Sequence, residues 1–153
     1  MKTLPHFAIA GLTVISELGC AHKRTPVRYE VPSPYVGWVG VEFGSTGSPA
    51  LPIRNGYLLA RFPDTPRLRT STDFVDGVAP DVFVDGDNVL PPYSAGAPCG
   101  RCVHDIRVVG SRPGQKQGIV VVFFVGSTAE HRLALPTFEN FVDEFDREGK
   151  PMN

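Results

Sequence analysis

The chain has 153 residues, 42% hydrophobic and 20% charged, a size and polarity that fit one domain and are too apolar for disorder to account for the bulk of it. Its 16 glycines and 15 prolines are too many breakers for a helical bundle and suit short strands joined by turns. Fifteen basic against 16 acidic side chains leave a net charge of -1, so no overall field draws in nucleic acid, which is not an expected partner.

Met1 and Lys2 open the chain with positive charge, and the mostly apolar run Phe7 to Ser16 follows, ending in Glu17-Leu18-Gly19-Cys20. That order predicts a cleaved export signal over residues 1–19. As a helix, Phe7 to Leu18 rises only about 18 Å, short of the roughly 30 Å hydrocarbon core, so it is not a stable spanning segment. The arrangement resembles a bacterial lipoprotein signal, in which a small residue precedes a cysteine that is lipidated on its thiol and becomes the new first residue. Gly19 and Cys20 match that pattern, while Leu18, Glu17, Pro5 and His6 depart from it. The resemblance implies lipidation at Cys20, a membrane partner through that N-terminal lipid anchor, and a place in the cell envelope facing the periplasm or the exterior. Without lipidation the expectation is secretion. Residues 20–28 read as the lipidated cysteine and a polar, basic tether, residues 29–147 as a single domain, and residues 148–153 as a tail.

Within the domain, Tyr35 to Gly44 alternates Val39, Val41 and Phe43 on one face with Trp38, Gly40 and Glu42 on the other, the most secure strand of the chain. Asn55-Gly56 turns into a second strand, Tyr57 to Phe62, and Arg67 to Ser71 forms a short third. Val82 to Val84 and Val89-Leu90 flank a hairpin loop, Asp85 to Asn88. Ile106 to Val109 and Ile119 to Val125 are the last two strands, and the unbroken apolar run of the latter predicts a central strand covered on both faces. About seven short strands predict a mostly β, antiparallel two-layer sandwich. Ser127 and Glu130 have the spacing of a capping box, and Thr137 can cap a further helix whose Phe138, Phe141, Val142 and Phe145 form one apolar stripe. One or two short C-terminal helices are therefore expected, the stripe serving as packing surface.

The pieces Val31-Pro32, Tyr35-Val36-Gly37-Trp38-Val39, Leu51-Pro52-Ile53, Asn55-Gly56-Tyr57, Leu68-Arg69-Thr70-Ser71 and Phe123-Phe124-Val125-Gly126, in that order, resemble a family of small bacterial lipoproteins classed only as a domain of unknown function. The resemblance implies an exported, lipid-anchored, β-rich domain and carries no activity with it. A Cys pair is not a mark of that family.

Cys99-Gly100-Arg101-Cys102 is the most reactive-looking string. Residues i and i+3 of a tight turn approach within about 7 Å, so Cys99 and Cys102 can form a local disulfide, which an oxidising envelope favours. A redox-active pair needs a depressed thiol pKa, usually from a helix N-terminus, and a strand follows here instead. A zinc site would draw on His104 and His131, but no second Cys pair or His pair completes a tetrahedral set. Asp85, Asp87 and Asn88 lack calcium-loop spacing, with Val89 and Gly96 where oxygen ligands would stand, and Asp73, Asp76 and Asp81 form a second acidic loop. No metal and no cofactor are therefore expected. His104 and Asp105, as strand neighbours, should point to opposite faces, and no nucleophile motif is present, so no catalytic residue is assigned and the reading leans away from an enzyme. Tyr35, Trp38, Tyr57 and Arg69 could line a groove for a flat or sugar-like ligand, with burial in a core as the plainer alternative. The leading expectation is a non-catalytic binding or structural module with an envelope protein or a small ligand as its partner. The alternatives are a periplasmic thiol-disulfide or metal-binding protein using Cys99 and Cys102, and an immunity or inhibitor lipoprotein.

Overall fold

The computed structural model describes residues 23–97, 99–110 and 118–148, so the expectations for the export signal and for Cys20 lie outside the described residues. Period-2 alternation generates most of the fold. β1 (Val27–Val31) buries Val27, Tyr29 and Val31 and turns Arg28 and Glu30 away from the core. With β3 (Ile53–Arg54), β4 (Tyr57–Arg61), β6 (Val82–Asp85) and β7 (Asn88–Leu90) it makes one sheet in the order β3-β4-β1-β6-β7. The second sheet runs β5-β2-β9-β8, from β2 (Gly37–Phe43), β5 (Arg67–Arg69), β8 (Cys102–Val109) and β9 (Ile119–Gly126). The two sheets pack face to face around Tyr29, Phe62, Phe83 and Phe123, whose rings meet mostly edge to face, apart from the stacked pair Tyr29 and Phe83 at 4.9 Å.

β9 is central, as its apolar run predicts. Val121, Phe123 and Val125 enter the inter-sheet core, and Val120, Val122 and Phe124 enter a second core on the outer face. That outer core is closed by α1 (Thr128–Ala134), one 3-10 turn (Leu135–Thr137) and α2 (Phe138–Glu148). The Ser127 and Glu130 capping box starts α1, with Ser127 Oγ accepting from the Glu130 N–H and Glu130 accepting from the Ser127 N–H at 2.8 Å. The stripe on α2 lands as expected: Phe138, Val142 and Phe145 are buried against Trp38, Val122 and Phe124. The Thr137 hydroxyl donates back to the Ala134 carbonyl at 2.7 Å.

Several expectations need correction. The sheets are mixed rather than antiparallel, because β1 pairs parallel with both β4 and β6, and β2 pairs parallel with β5. Alternation looks the same in either direction, so only the long connections decide it. Among the described residues there are nine strands rather than about seven. β1 lies partly within the stretch read as tether, and Val27 and Arg28 belong to the fold, because the basic residues before Val27 masked a short alternating strand. β3 is two residues long, too short for a period to register. β8 starts at Cys102 rather than Ile106, and the Asp85 to Asn88 hairpin is tighter than drawn, with Asp85 paired to Asn88.

Candidate binding cavity between the sheets

The sandwich does not close at the β8 edge. Asp105 adopts φ 52° and the β8 register against β9 shifts between His104 and Arg107, the signature of a bulge. Before the bulge Cys102, Val103 and His104 are buried; beyond it Ile106 and Val108 are 50% and 57% exposed. Val108 pairs with Val121 of the inward face, so its side chain lies on the inter-sheet side of β8. The result is a cavity of about 800 Å³ with Tyr29, Phe43, Phe74, Phe83 and Val121 in its walls. The segment from Thr72 to Asp81 forms one side, and Ile106 and Val108 form the rim. This volume and apolar lining are those of small-ligand sites.

The polar groups at the cavity largely serve one another. Arg24 Nη1 donates to Asp81 Oδ1 at 2.9 Å and Arg24 Nε to the Gly77 carbonyl at 3.2 Å, while the Val27 N–H donates to Asp81 Oδ1 at 2.8 Å. The bond to Asp81 holds the Arg24 guanidinium above its ordinary pKa. Burial pushes the Tyr29 phenol well above its ordinary value, so it stays neutral. Arg24 and Asp81 are thus engaged with each other and with the backbone, and the aromatic and aliphatic walls can hold an apolar body, with Lys23, Asp73 and Asp76 also in the lining.

The residues singled out from sequence lie elsewhere. Trp38 is buried beneath the helices, its Nε1 donating to the Ala134 carbonyl at 3.0 Å, and Tyr35 donates its hydroxyl to the Trp38 carbonyl at 3.0 Å. Arg69 Nε sits 2.7 Å from Glu42 Oε2 and Arg69 Nη2 donates to the Phe145 carbonyl. Tyr57 is in β4 of the other sheet. Tyr35 and Trp38 are brought together; the four do not share a groove, and none of them lines the cavity. The Cys99 and Cys102 sulfurs are in bonding contact with Cα atoms 6.2 Å apart, and Cys102 is 1% exposed. Arg101 Nε lies 2.6 Å from Asp85 Oδ2, so that carboxylate is engaged by a cation rather than held open for a metal. Among the described residues, no group of three or more His, Cys, Asp or Glu side chains is placed to hold a metal ion.

On the outer side of β8 the structure brings together His104 and His131, which the sequence offered only as zinc donors, and adds Tyr93, Asp105 and Arg107, which it did not. The His104 and His131 rings stack at 4.8 Å and Tyr93 stacks on His104 at 4.7 Å. His131 Nε2 is 3.6 Å from Asp105 Oδ2, and Arg107 also bonds that carboxylate. His104 and Asp105 therefore converge on His131 instead of pointing apart, because the bulge breaks the alternation between them. Burial and the neighbouring His104 push the His131 pKa down, and the Arg107 hydrogen bond holds Asp105 below the usual carboxylate range. A bulge leaves no mark in a single sequence, so the turn of Asp105 toward His131 was not legible there.

No protein-family model matches the chain, and no curated protein matches it either. Its fold is similar to a 2.75 Å crystal structure from Bacillus anthracis that is provisionally designated a lipoprotein. The match has a TM-score of 0.58 and covers 80% of this chain and 93% of that one at 17% identity, a likeness of fold alone.

Proposed function

We propose that the protein is an exported envelope domain, lipid-anchored at Cys20, that acts as a non-catalytic binding module and takes an apolar ligand between its sheets. The observation that carries the reading is the cavity of about 800 Å³, whose walls are aromatic and aliphatic and whose Arg24 and Asp81 are already paired. The export signature ahead of Cys20 supports the address. So does a fold likeness to a protein provisionally designated a lipoprotein, and among the described residues no helix is long and apolar enough to cross a membrane. Cys99 and Cys102 are assigned a structural bridge, supported by the burial of Cys102 and by its place at the start of a strand, where no helix dipole lowers a thiol pKa.

The test is to express the full chain in a bacterial host, fractionate the cells and measure the mass of the purified protein under native and denaturing conditions. The expected result is membrane-fraction protein beginning at an acylated Cys20, with a small apolar molecule retained in the native spectrum. Protein found in the cytosol with Met1 intact refutes the address, and a native spectrum that never shows a retained or added apolar molecule refutes the binding role.

A further inference from the structure

We infer that the cavity takes one acyl chain of a bilayer lipid, with its mouth held at the membrane surface; this rests on, and deepens, the reading of the cavity as a binding site and of Cys20 as the anchor. Three independent features converge on one edge of the sandwich. The first is the lining: aromatic and aliphatic walls with an internally paired Arg24 and Asp81 favour hydrocarbon, and the opening at β8 lets a polar headgroup stay outside. The second is the rim. Val75, Val78, Ile106 and Val108 are 48%, 68%, 50% and 57% exposed, and they surround this one opening: three line the cavity and Val78 sits between the lining residues Gly77 and Ala79. Exposed aliphatic side chains gathered at one place mark an interaction surface, and a bilayer interface accepts them.

The third feature is where the chain enters the fold. Lys23 lines the cavity and forms a β-bridge with Val78, so the first described residue is fixed at the mouth. Cys20 is three residues upstream, a span of at most about 11 Å. An anchor at Cys20 therefore cannot hold the domain far from its membrane, and it brings the Val75, Val78, Ile106 and Val108 rim to the headgroup layer. The mouth offers Lys23 and Arg24 against Asp73, Asp76 and Asp81, which gives no cationic field to select an anionic headgroup. Acyl binding is accordingly expected to persist at high ionic strength.

The experiment uses the full chain with Cys20→Ala, which cannot be acylated, titrated with a dansyl-labelled fatty acid and competed with oleate and with phosphatidylcholine vesicles. Saturation at one probe per protein, displacement by both competitors and little change in 0.5 M salt (on the order of a Debye length of 4 Å) are expected. Adding Ile106→Glu or Val108→Glu should weaken probe binding at least about tenfold. Ala79→Trp, on the cavity wall, should do the same, and Leu133→Glu, exposed on α1 over the outer core, should leave binding unchanged. Both rim substitutions replace exposed side chains, and circular dichroism verifies that each variant is folded. Absence of saturable binding, or equal weakening by Leu133→Glu, overturns the acyl site. The lipidated wild-type protein is then tested with the same probe. If it refuses the probe that Cys20→Ala accepts, the protein's own anchor fills the cavity and the choice of a bilayer lipid is overturned. If the exported wild-type protein carries no lipid yet binds the probe, the anchor reading and the membrane-facing orientation fail while the acyl site stands.

Discussion

Replacing Trp38 with Phe separates the two roles this residue could have. Trp38 is 4% exposed and its ring meets Phe124 at 5.4 Å, Phe138 at 5.0 Å and His131 at 5.7 Å, all edge to face, so it joins β2, β9, α1 and α2. Its Nε1 donates to the Ala134 carbonyl at the end of α1. Phe keeps the first ring and removes the donor, leaving that carbonyl without its partner at a cost of about 1–3 kcal/mol. The missing second ring leaves a void of about 40 Å³, worth about 1 kcal/mol more. The expected loss is about 2–4 kcal/mol, a fall in Tm on the order of 10 °C for a domain of this size. Urea unfolding followed by far-ultraviolet circular dichroism measures it, since the substitution removes the only Trp of the chain as a fluorescent reporter. A loss below about 0.5 kcal/mol, the scatter of surface substitutions, refutes the assignment of Trp38 to packing and returns it to the list of ligand-groove residues.

Gly40→Ala places a Cβ 2.8 Å from two atoms of the Phe145 ring and 3.1 Å from Phe141, so both rings of α2 must move; we expect a loss of about 1–3 kcal/mol and faster proteolysis within α2. Asp81→Ala strips the Val27 N–H and the Arg24 guanidinium of their shared acceptor and should cost about 2–3 kcal/mol by urea titration. His131 has a folded pKa below its ordinary 6.5, so its stabilising contribution is complete above pH 6.5 and declines as pH falls from there toward the folded value. Asp105, also lowered, loses its contribution only below the ordinary carboxylate value of 3.8. The urea midpoint should therefore drop between pH 7.5 and 5.5, and His131→Phe, facing His104, Asp105 and Arg107, should flatten that drop; an unchanged slope refutes the assignment.

What a single sequence discloses here is local. The alternation in Trp38 to Phe43, the apolar run of Ile119 to Val125 and the α2 stripe each dictate which face is buried, and all three faces are where the pattern puts them. The direction of pairing is not local. β1 joins β4 and β6 in parallel because of how the connections cross, and Val27 to Val31 has a clean alternation that the preceding Lys23 and Arg24 overshadowed. The aromatic residues proposed as a groove illustrate the same limit: Tyr35, Trp38 and Tyr57 are attractive as types, yet burial and sheet membership, neither encoded in residue type, assign them to packing or to the other sheet.

The cavity was least legible of all, because it arises from a mismatch between two well-formed layers. β8 continues past Asp105 for four more residues, while the facing edge strand β7 has only three. An extra residue in β8 resets its register, leaving Ile106 and Val108 beyond the reach of the opposing sheet. On either side of the bulge β8 still alternates, and Ile106 and Val108 are on the inward face; what is missing is the layer that should cover them. A sandwich selected only for stability would extend β7 or place charge at the inward positions of Ile106 and Val108, as exposed edges usually do. Keeping two β-branched aliphatic side chains uncovered at an edge, beside Val75 and Val78, costs solubility unless something apolar meets them, and that is the physical reason to seek function at this edge rather than at the aromatic residues the sequence draws attention to.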